Sequence, residues 1–350
     1  MNYESFLSMN KSQFSLITAN AIEGLKTLAD NSIHCIVTSP PYWGMRNYGT
    51  KPVDWGDWTG ELGHEENEDA YIAHLLLIFS EARRVLRLDG TLWVNIGDTY
   101  YTNKGHRFAR MKSGRNKDLS LIPWKFAMAM QADGWYVRSS IVWQKPTAMP
   151  ESVRDRPTSS WEPIFMFSKH DSYYYDQCSI TTEKGANVRN VWSMVPEQIR
   201  DAHFAPMPVE LARRCIALAT SDYGVCEACG SPFLRDIERI LVENKWRGRS
   251  RKWTRMAKET GLLPEKTSEA SLANGKTWEK ITRGWKPQCE CGSTIKPATV
   301  LDPFSGAGTT ALAAMRLNRN AIGIDLLDEY NQIARKRIEK DALASVPKLL

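Results

Sequence analysis

Apolar and polar positions alternate with two periods along the N-terminal part of the chain. Ser15–Thr18 predicts a short strand and Ala21–Leu28 a helix, while the apolar run His34–Val37 predicts a strand passing straight into Thr38-Ser39-Pro40-Pro41-Tyr42. A longer helix is predicted from about Asp69 to Arg87, stopped at Asp89-Gly90, followed by an apolar strand over Thr91–Ile96. Further strands are predicted at Tyr136–Trp143 and Pro163–Phe167. The C-terminal end repeats the alternation: Thr299–Leu301 as strand, a Gly-rich turn, Thr309–Leu317 as helix, Ala321–Ile324 as strand and Leu327–Ala342 as helix. Such alternation implies an α/β fold, a mostly parallel sheet with helices on both faces. From Ser221 to Gly292 the pattern breaks into a basic stretch with Gly and Ser, bounded by cysteine pairs, and reads as an insertion. This divides the chain into 1–220, 221–292 and 293–350.

Composition fits one large domain, or one domain with a small insertion: 350 residues, 42% hydrophobic and 25% charged. No stretch approaches the roughly 18–20 uncharged apolar residues that span a bilayer, and the start MNYESFLSMNKSQF lacks the apolar core of a signal peptide. A cytoplasmic protein without a membrane partner is expected. The net charge of +6, from 46 basic and 40 acidic residues, is modest. Its distribution says more. KWRGRSRKWTRMAK, from Lys245 to Lys258, gathers basic residues around Trp246 and Trp253 without one acid, suited to releasing phosphate counterions and stacking on bases. The alternative is a solvated loop.

Two loops carry candidate chemistry. In Ser39-Pro40-Pro41-Tyr42 the prolines fix φ and remove two N–H donors, leaving carbonyl acceptors on a stiff turn after a buried strand. Acceptors suit an exocyclic amino group, a poor nucleophile whose lone pair is delocalised into the base. Engaging its hydrogens favours pyramidal nitrogen and aims the lone pair at an electrophile. Ser39 Oγ and the Pro40 carbonyl are the candidates, with Tyr42 as a stacking face for an extruded base. A Pro-Pro surface turn followed by a core aromatic satisfies the same four residues. The second loop, Leu301-Asp302-Pro303-Phe304-Ser305-Gly306-Ala307-Gly308-Thr309-Thr310, joins a strand to a helix, where small residues admit a ligand to the helix N-terminus. Asp325 ends the next strand, where an acid can accept from ribose hydroxyls. A structural Gly-rich turn is the alternative.

Seven cysteines without a secretory signal argue against a disulfide framework. Cys226-Glu-Ala-Cys229-Gly230 and Cys289-Glu-Cys291-Gly292 instead supply four thiolates for a tetrahedral zinc, each pair followed by a glycine that permits a tight turn. Four unrelated thiols are the alternative. Cys35, Cys178 and Cys215 lie in apolar segments and read as packing residues. No Pro-Cys dipeptide is present, which disfavours cytosine C5 methylation through a cysteine nucleophile.

TSPPYWGMRNYG resembles the catalytic motif of amino-group DNA methyltransferases, DPFSGAGTT their cofactor motif, and Gly323-Ile324-Asp325 the motif whose acid contacts ribose. The catalytic motif precedes the cofactor motif, as in the β group of these enzymes. Glu81–Leu86, Val94–Asp98, Trp143–Pro146, Met149–Val153 and His203–Pro208 extend the resemblance over most of the chain outside 221–292. It implies a Rossmann-like sheet with circularly permuted motif order and a small zinc-binding insertion. It also implies S-adenosylmethionine as cofactor, lined by Asn20, Thr38, Asp302, Pro303, Phe304, Ser305, Gly306, Gly308, Thr309, Thr310 and Asp325, with Ser39, Pro40, Pro41 and Tyr42 catalytic. Double-stranded DNA is the implied substrate, cytosine N4 favoured by Ser39 and adenine N6 the alternative. A prokaryotic or phage source and a cognate restriction endonuclease partner are consistent with it; monomer and homodimer both stay open. A catalytically silent nucleic-acid-binding protein is the reading of a different class. Relatives often carry Gly-Asp at Ala19-Asn20, an acid at His34, and His or Tyr at Trp161.

Overall fold

A computed structural model describes residues 12–45, 47, 49–102, 114–148, 150–181, 186–197, 207–243 and 276–344. In chain order its elements are β1 (Phe14–Thr18), α1 (Ala21–Lys26), β2 (Ile33–Thr38), β3 (Val53–Asp54), β4 (Thr59–Gly60), α2 (Glu68–Val85), β5 (Leu86–Asn95), α3 (Ile122–Ala132), β6 (Tyr136–Gln144) and β7 (Trp161–Ser168). There follow β8 (Val191–Ser193), α4 (Val209–Ala219), β9 (Val225–Cys226), β10 (Phe233–Glu243), β11 (Lys276–Pro287), β12 (Ile295–Lys296), β13 (Thr299–Asp302), α5 (Thr309–Arg316), β14 (Asn320–Asp325) and α6 (Asp328–Ala344).

Eight strands form one sheet in the order β1-β14-β13-β2-β5-β7-β6-β8. β1, β14, β13, β2 and β5 pair in parallel, β7 runs antiparallel to both neighbours, and β8 is parallel to β6. Alternation along each central strand divides the core in two. Ile36, Leu92, Val94, Phe165, Phe167 and Leu301 pack with residues of α1, α2 and α3, whereas Cys35, Val37, Trp93, Ile164, Met166 and Val300 pack with residues of α4, α5 and α6. β2 is buried along its whole length, which explains its unbroken apolar run.

One boundary departs from expectation. The second helix ends at Val85, and Asp89-Gly90 lies inside β5 instead of stopping the helix. Leu86 already has extended backbone (φ −69°, ψ 136°), is fully buried and pairs with Ile33. Gly90 is needed inside the strand because a Cβ there would lie 3.0 Å from the His34 carbonyl oxygen and 2.7 Å from a Leu86 methyl.

The described residues of 221–292 lie outside the large sheet. β10 and β11 pair antiparallel from Phe233↔Pro287 to Glu243↔Lys276, and β9 pairs with β12 just beyond Gly292. The basic block 245–258 falls outside the described residues, as do 203–206, 103–113 and Met149. Among the described residues, no helix is long and apolar enough to cross a membrane.

Candidate active site

β13 and β2 are parallel neighbours in the register Val300↔Cys35 and Leu301↔Ile36, so the two loops singled out in the sequence leave the same edge of the sheet side by side. That edge, at the carboxyl ends of the strands, is where open α/β sheets bind ligands. Thr38 Oγ1 donates to Asp302 Oδ1 at 2.6 Å and joins the loops directly. Asp302 also accepts from Phe304 N at 3.0 Å. Burial pushes its carboxyl up to about 6 against the opposing effect of the Thr38 and Thr310 hydroxyls.

The first loop is held from below. Tyr71 Oη donates to the Pro41 carbonyl at 2.7 Å, and Gly44 N donates to the Gly63 carbonyl at 2.8 Å. The Tyr42 ring lies over Gly97, where a Cβ would come within 2.5 Å of it. Ser39 Oγ donates to Tyr42 Oη at 3.2 Å. The Tyr42 hydroxyl proton is in reach of Glu162 Oε2 at 2.9 Å and Asn95 Oδ1 at 3.0 Å, and Asn95 Nδ2 donates to the same Glu162 oxygen at 3.1 Å. Lys145 pairs with Glu162 Oε1 and sits 4.4 Å from the centre of the Trp143 ring.

In the second loop, Gly306 (φ +49°) and Gly308 (φ +75°) adopt left-handed backbone, and Gly308 caps α5. Asp325 accepts from Gly306 N at 2.8 Å through one oxygen and from Leu327 N at 2.9 Å through the other; burial raises its pKa. Each oxygen keeps a lone pair. Ser305 Oγ is buried without a hydrogen-bond partner among the described residues. The buried Asp302 and half-buried Asp325 carboxylates, an unsatisfied hydroxyl and the half-buried Phe304 fit a ligand with a cationic centre and a ribose.

An open cleft of about 1210 Å³ runs over both loops. It is lined by Asn20, Ser39, Pro40, Pro41, Tyr42, Asp302, Pro303, Phe304, Ser305, Gly306, Thr309 and Asp325. Thr38, Gly308 and Thr310 do not line it. Thr38 and Thr310 lie buried beneath, with Thr310 Oγ1 on the Val37 carbonyl at 3.1 Å. Asn20 caps α1, its Oδ1 accepting from Glu23 N at 2.9 Å, so the donor it offers the cleft is Nδ2. Trp161 stands 43% exposed at the rim.

Asn95, Lys145 and Glu162 carry roles that reading the chain by elements did not assign. The available signal was polar punctuation: Asn95 ends the apolar strand β5, Lys145 follows β6, and Glu162 precedes the apolar run of β7. All three reach the same sheet edge because β7 is antiparallel.

Away from the cleft, the ligand atoms of Cys226, Cys229, Cys289 and Cys291 all lie within 4.8 Å of one another. Gly230 (φ +73°) and Gly292 (φ +61°) make the left-handed turns anticipated after each pair. Every cysteine is free. Cys35 and Cys215 are buried and Cys178 half-buried. Arg87 Nη1 donates to the Cys229 carbonyl at 2.9 Å, and His34 docks the same turn. His34 Nδ1 accepts from Thr299 N at 3.0 Å, so Nε2 carries the proton and donates to the Gly230 carbonyl at 3.1 Å. Burial lowers its pKa to about 4 and keeps the ring neutral.

Comparison with known proteins decides the family. The N6_N4_Mtase family model, described as DNA methylase, matches residues 33–226 and 292–336. The type II methyltransferase M.SmaI of Serratia marcescens is 34% identical over 358 residues, covering 96% of this chain and 94% of that relative. This chain belongs to the DNA amino-methylase family. M.XycI of Xanthomonas campestris pv. cyanopsidis is 42% identical over 346 residues, 93% of the methylase and 87% of the relative. In fold, the methylase is similar to the PvuII DNA methyltransferase (cytosine-N4-specific), with a TM-score of 0.58, 16% identity and coverage of 94% and 87%. It is also similar to a putative DNA modification methylase from Thermus thermophilus solved with S-adenosyl-L-methionine, with a TM-score of 0.54, 21% identity and coverage of 97% and 96%.

Proposed function

We propose that this methylase transfers a methyl group from S-adenosylmethionine to the N4 amino group of cytosine in double-stranded DNA. The Thr38–Asp302 hydrogen bond of 2.6 Å supports it most directly, because it fastens the Ser-Pro-Pro-Tyr loop to the Gly-rich loop within one cleft. At about 1210 Å³ the cleft exceeds the roughly 300–1,000 Å³ of a single small-molecule pocket, leaving room for cofactor and extruded base together.

On this reading Asp325 accepts from the ribose hydroxyls, Asn20 donates to the adenine, and Asp302, Pro303, Phe304, Ser305, Gly306 and Thr309 surround the methionine part. Thr38, Gly308 and Thr310 support that loop from behind. S-adenosylmethionine supplies an electrophilic methyl group. Tyr42 stacks the extruded base, with Pro41 fixing its approach, while Ser39 Oγ and the Pro40 carbonyl accept from the amino hydrogens and orient the nitrogen lone pair. The catalytic loop precedes the cofactor loop in the chain, the circularly permuted order of the β group. Residues 1–220 and 293–350 form the two parts of the methyltransferase domain. Residues 221–292 form an insertion held by zinc on Cys226, Cys229, Cys289 and Cys291, which grips DNA and contributes to target choice. The type II relatives support a cognate restriction endonuclease as a partner in the cell.

The choice of cytosine rests on Ser39. The deciding experiment incubates the protein with labelled cofactor and mixed DNA, digests to nucleosides and identifies the product by mass spectrometry. N4-methylcytosine is expected; N6-methyladenine moves the acceptor to adenine, and absence of both overturns the proposal. Ser39→Ala and Tyr42→Ala are each expected to lose most methyl transfer.

A further inference from the structure

We propose that Glu162, acting through the hydroxyls of Tyr42 and Ser39, receives the proton that the target amino group loses on methylation; this rests on the function proposed above. A serine hydroxyl is a poor base and, with a free proton, is as ready to donate as to accept. The hydrogen-bond directions in the cleft remove that ambiguity. Ser39 Oγ donates to Tyr42 Oη at 3.2 Å, and Tyr42 Oη donates to Glu162 Oε2 at 2.9 Å, the charged acceptor being favoured over the neutral Asn95 amide oxygen. The Ser39 proton is therefore directed at Tyr42 Oη and the Tyr42 proton at a carboxylate. Ser39 is left presenting lone pairs where an amino N–H would arrive.

The step balances without another reactant. As nitrogen gains the methyl group it becomes cationic, and one of its N–H bonds breaks while an O–H bond forms at Ser39. The former Ser39 proton passes to Tyr42 Oη, and the former Tyr42 proton to Glu162 Oε2, which ends as a neutral carboxylic acid. Lys145, ion-paired to Glu162 Oε1, holds the carboxylate in place. Asn95 Nδ2 occupies a further lone pair of Oε2 at 3.1 Å and fixes its direction. Glu162, Lys145 and Asn95 act through the Tyr42 and Ser39 hydroxyls and are thus positioning residues.

The test compares wild type with Glu162→Gln, Glu162→Asp, Tyr42→Phe and Lys145→Met in single-turnover methylation of DNA. Calorimetric titration with S-adenosylmethionine and thermal unfolding run in parallel. Tyr42→Phe keeps the stacking face and breaks the relay. We expect the Glu162→Gln and Tyr42→Phe rates to fall on the order of 10- to 100-fold, the low end for general-base catalysis, with cofactor affinity and KM for DNA within about twofold. Glu162→Asp should recover part of the rate if a carboxylate is what matters. An active wild type with an unchanged Glu162→Gln rate, or a Glu162→Asp rate no better than that of Glu162→Gln, overturns the relay and leaves the methylase reading standing. A wild type that binds no S-adenosylmethionine and methylates no base overturns both.

Discussion

Asp302 offers a test in which stability and activity move in opposite directions. Its carboxyl is 4% exposed and is raised from an ordinary 3.8 to about 6, chiefly by burial. The folded chain therefore binds more protons than the unfolded chain between pH about 4 and about 6, and stability falls as pH rises through that window. Above it the ionised group costs about 3 kcal/mol. Asp302→Asn removes the charge and keeps an oxygen to accept from Thr38 and Phe304. Its new N–H donors, if unpaired, cost about 1–2 kcal/mol. A net gain of about 1–3 kcal/mol at pH 8 is the prediction, shrinking to nothing near pH 4. Urea unfolding of both proteins at pH 8, 6 and 4.5 measures it. The difference between the two curves is the readout, because His34 acts oppositely: held neutral in the fold with a pKa of about 4, it removes stability as pH falls from 6.5. The same variant should bind S-adenosylmethionine about tenfold or more weakly, a loss of about 1.4 kcal/mol. An Asn variant no more stable than wild type at pH 8, or a gain that persists undiminished at pH 4.5, refutes the argument.

Three further outcomes are expected. Gly97→Ala places a Cβ 2.5 Å from the Tyr42 ring, so single-turnover methylation should drop at least tenfold while overpacking costs only about 1–3 kcal/mol in unfolding. Gly308→Ala meets Ala334 Cβ at 2.5 Å and requires φ of +75°, which should cost about 2–4 kcal/mol and lower Tm by several degrees in calorimetry. Plasma emission spectrometry should find one zinc per purified chain, and Cys289→Ser with Cys291→Ser should lose it and open β10–β11 to protease, with retained zinc counting against the site.

The central sheet was legible because β2, β5, β7, β13 and β14 are strongly apolar and each is bracketed by Gly, Pro, Asp or a helix cap. The two cleft loops were legible for a related reason, since prolines and glycines mark backbone that side chains alone do not require. The β10–β11 pair was not. FLRDIERILVE carries β-branched residues, but five of its eleven positions are charged and break the alternation, so it resembles the charged stretch that follows it. The Leu86 boundary was hidden because pairing with Ile33 overrides a helical period that continues to Arg87. Nothing local ties Glu162 to Tyr42, 120 positions away. Only the antiparallel course of β7 brings the acid back to the loop edge.

The strand order also bears on how the protein is made. β1 and β2 are consecutive in the chain, yet β13 and β14 stand between them in the sheet. Until those two strands emerge from the ribosome, the facing edges of β1 and β2 have no partners, and β2 is the most thoroughly buried strand of the finished sheet. Closing that gap joins segments 307 positions apart at Leu16↔Gly323 and 265 apart at Val300↔Cys35, with Leu301↔Ile322 joining the two inserted strands. Non-local pairing of this kind folds slowly. We expect β1 amides to gain protection in pulse-labelled hydrogen exchange only as β14 does. Earlier protection of β1 would contradict this. A nascent chain therefore cannot assemble the cleft, and its methylating activity would be withheld until synthesis has passed Asp325.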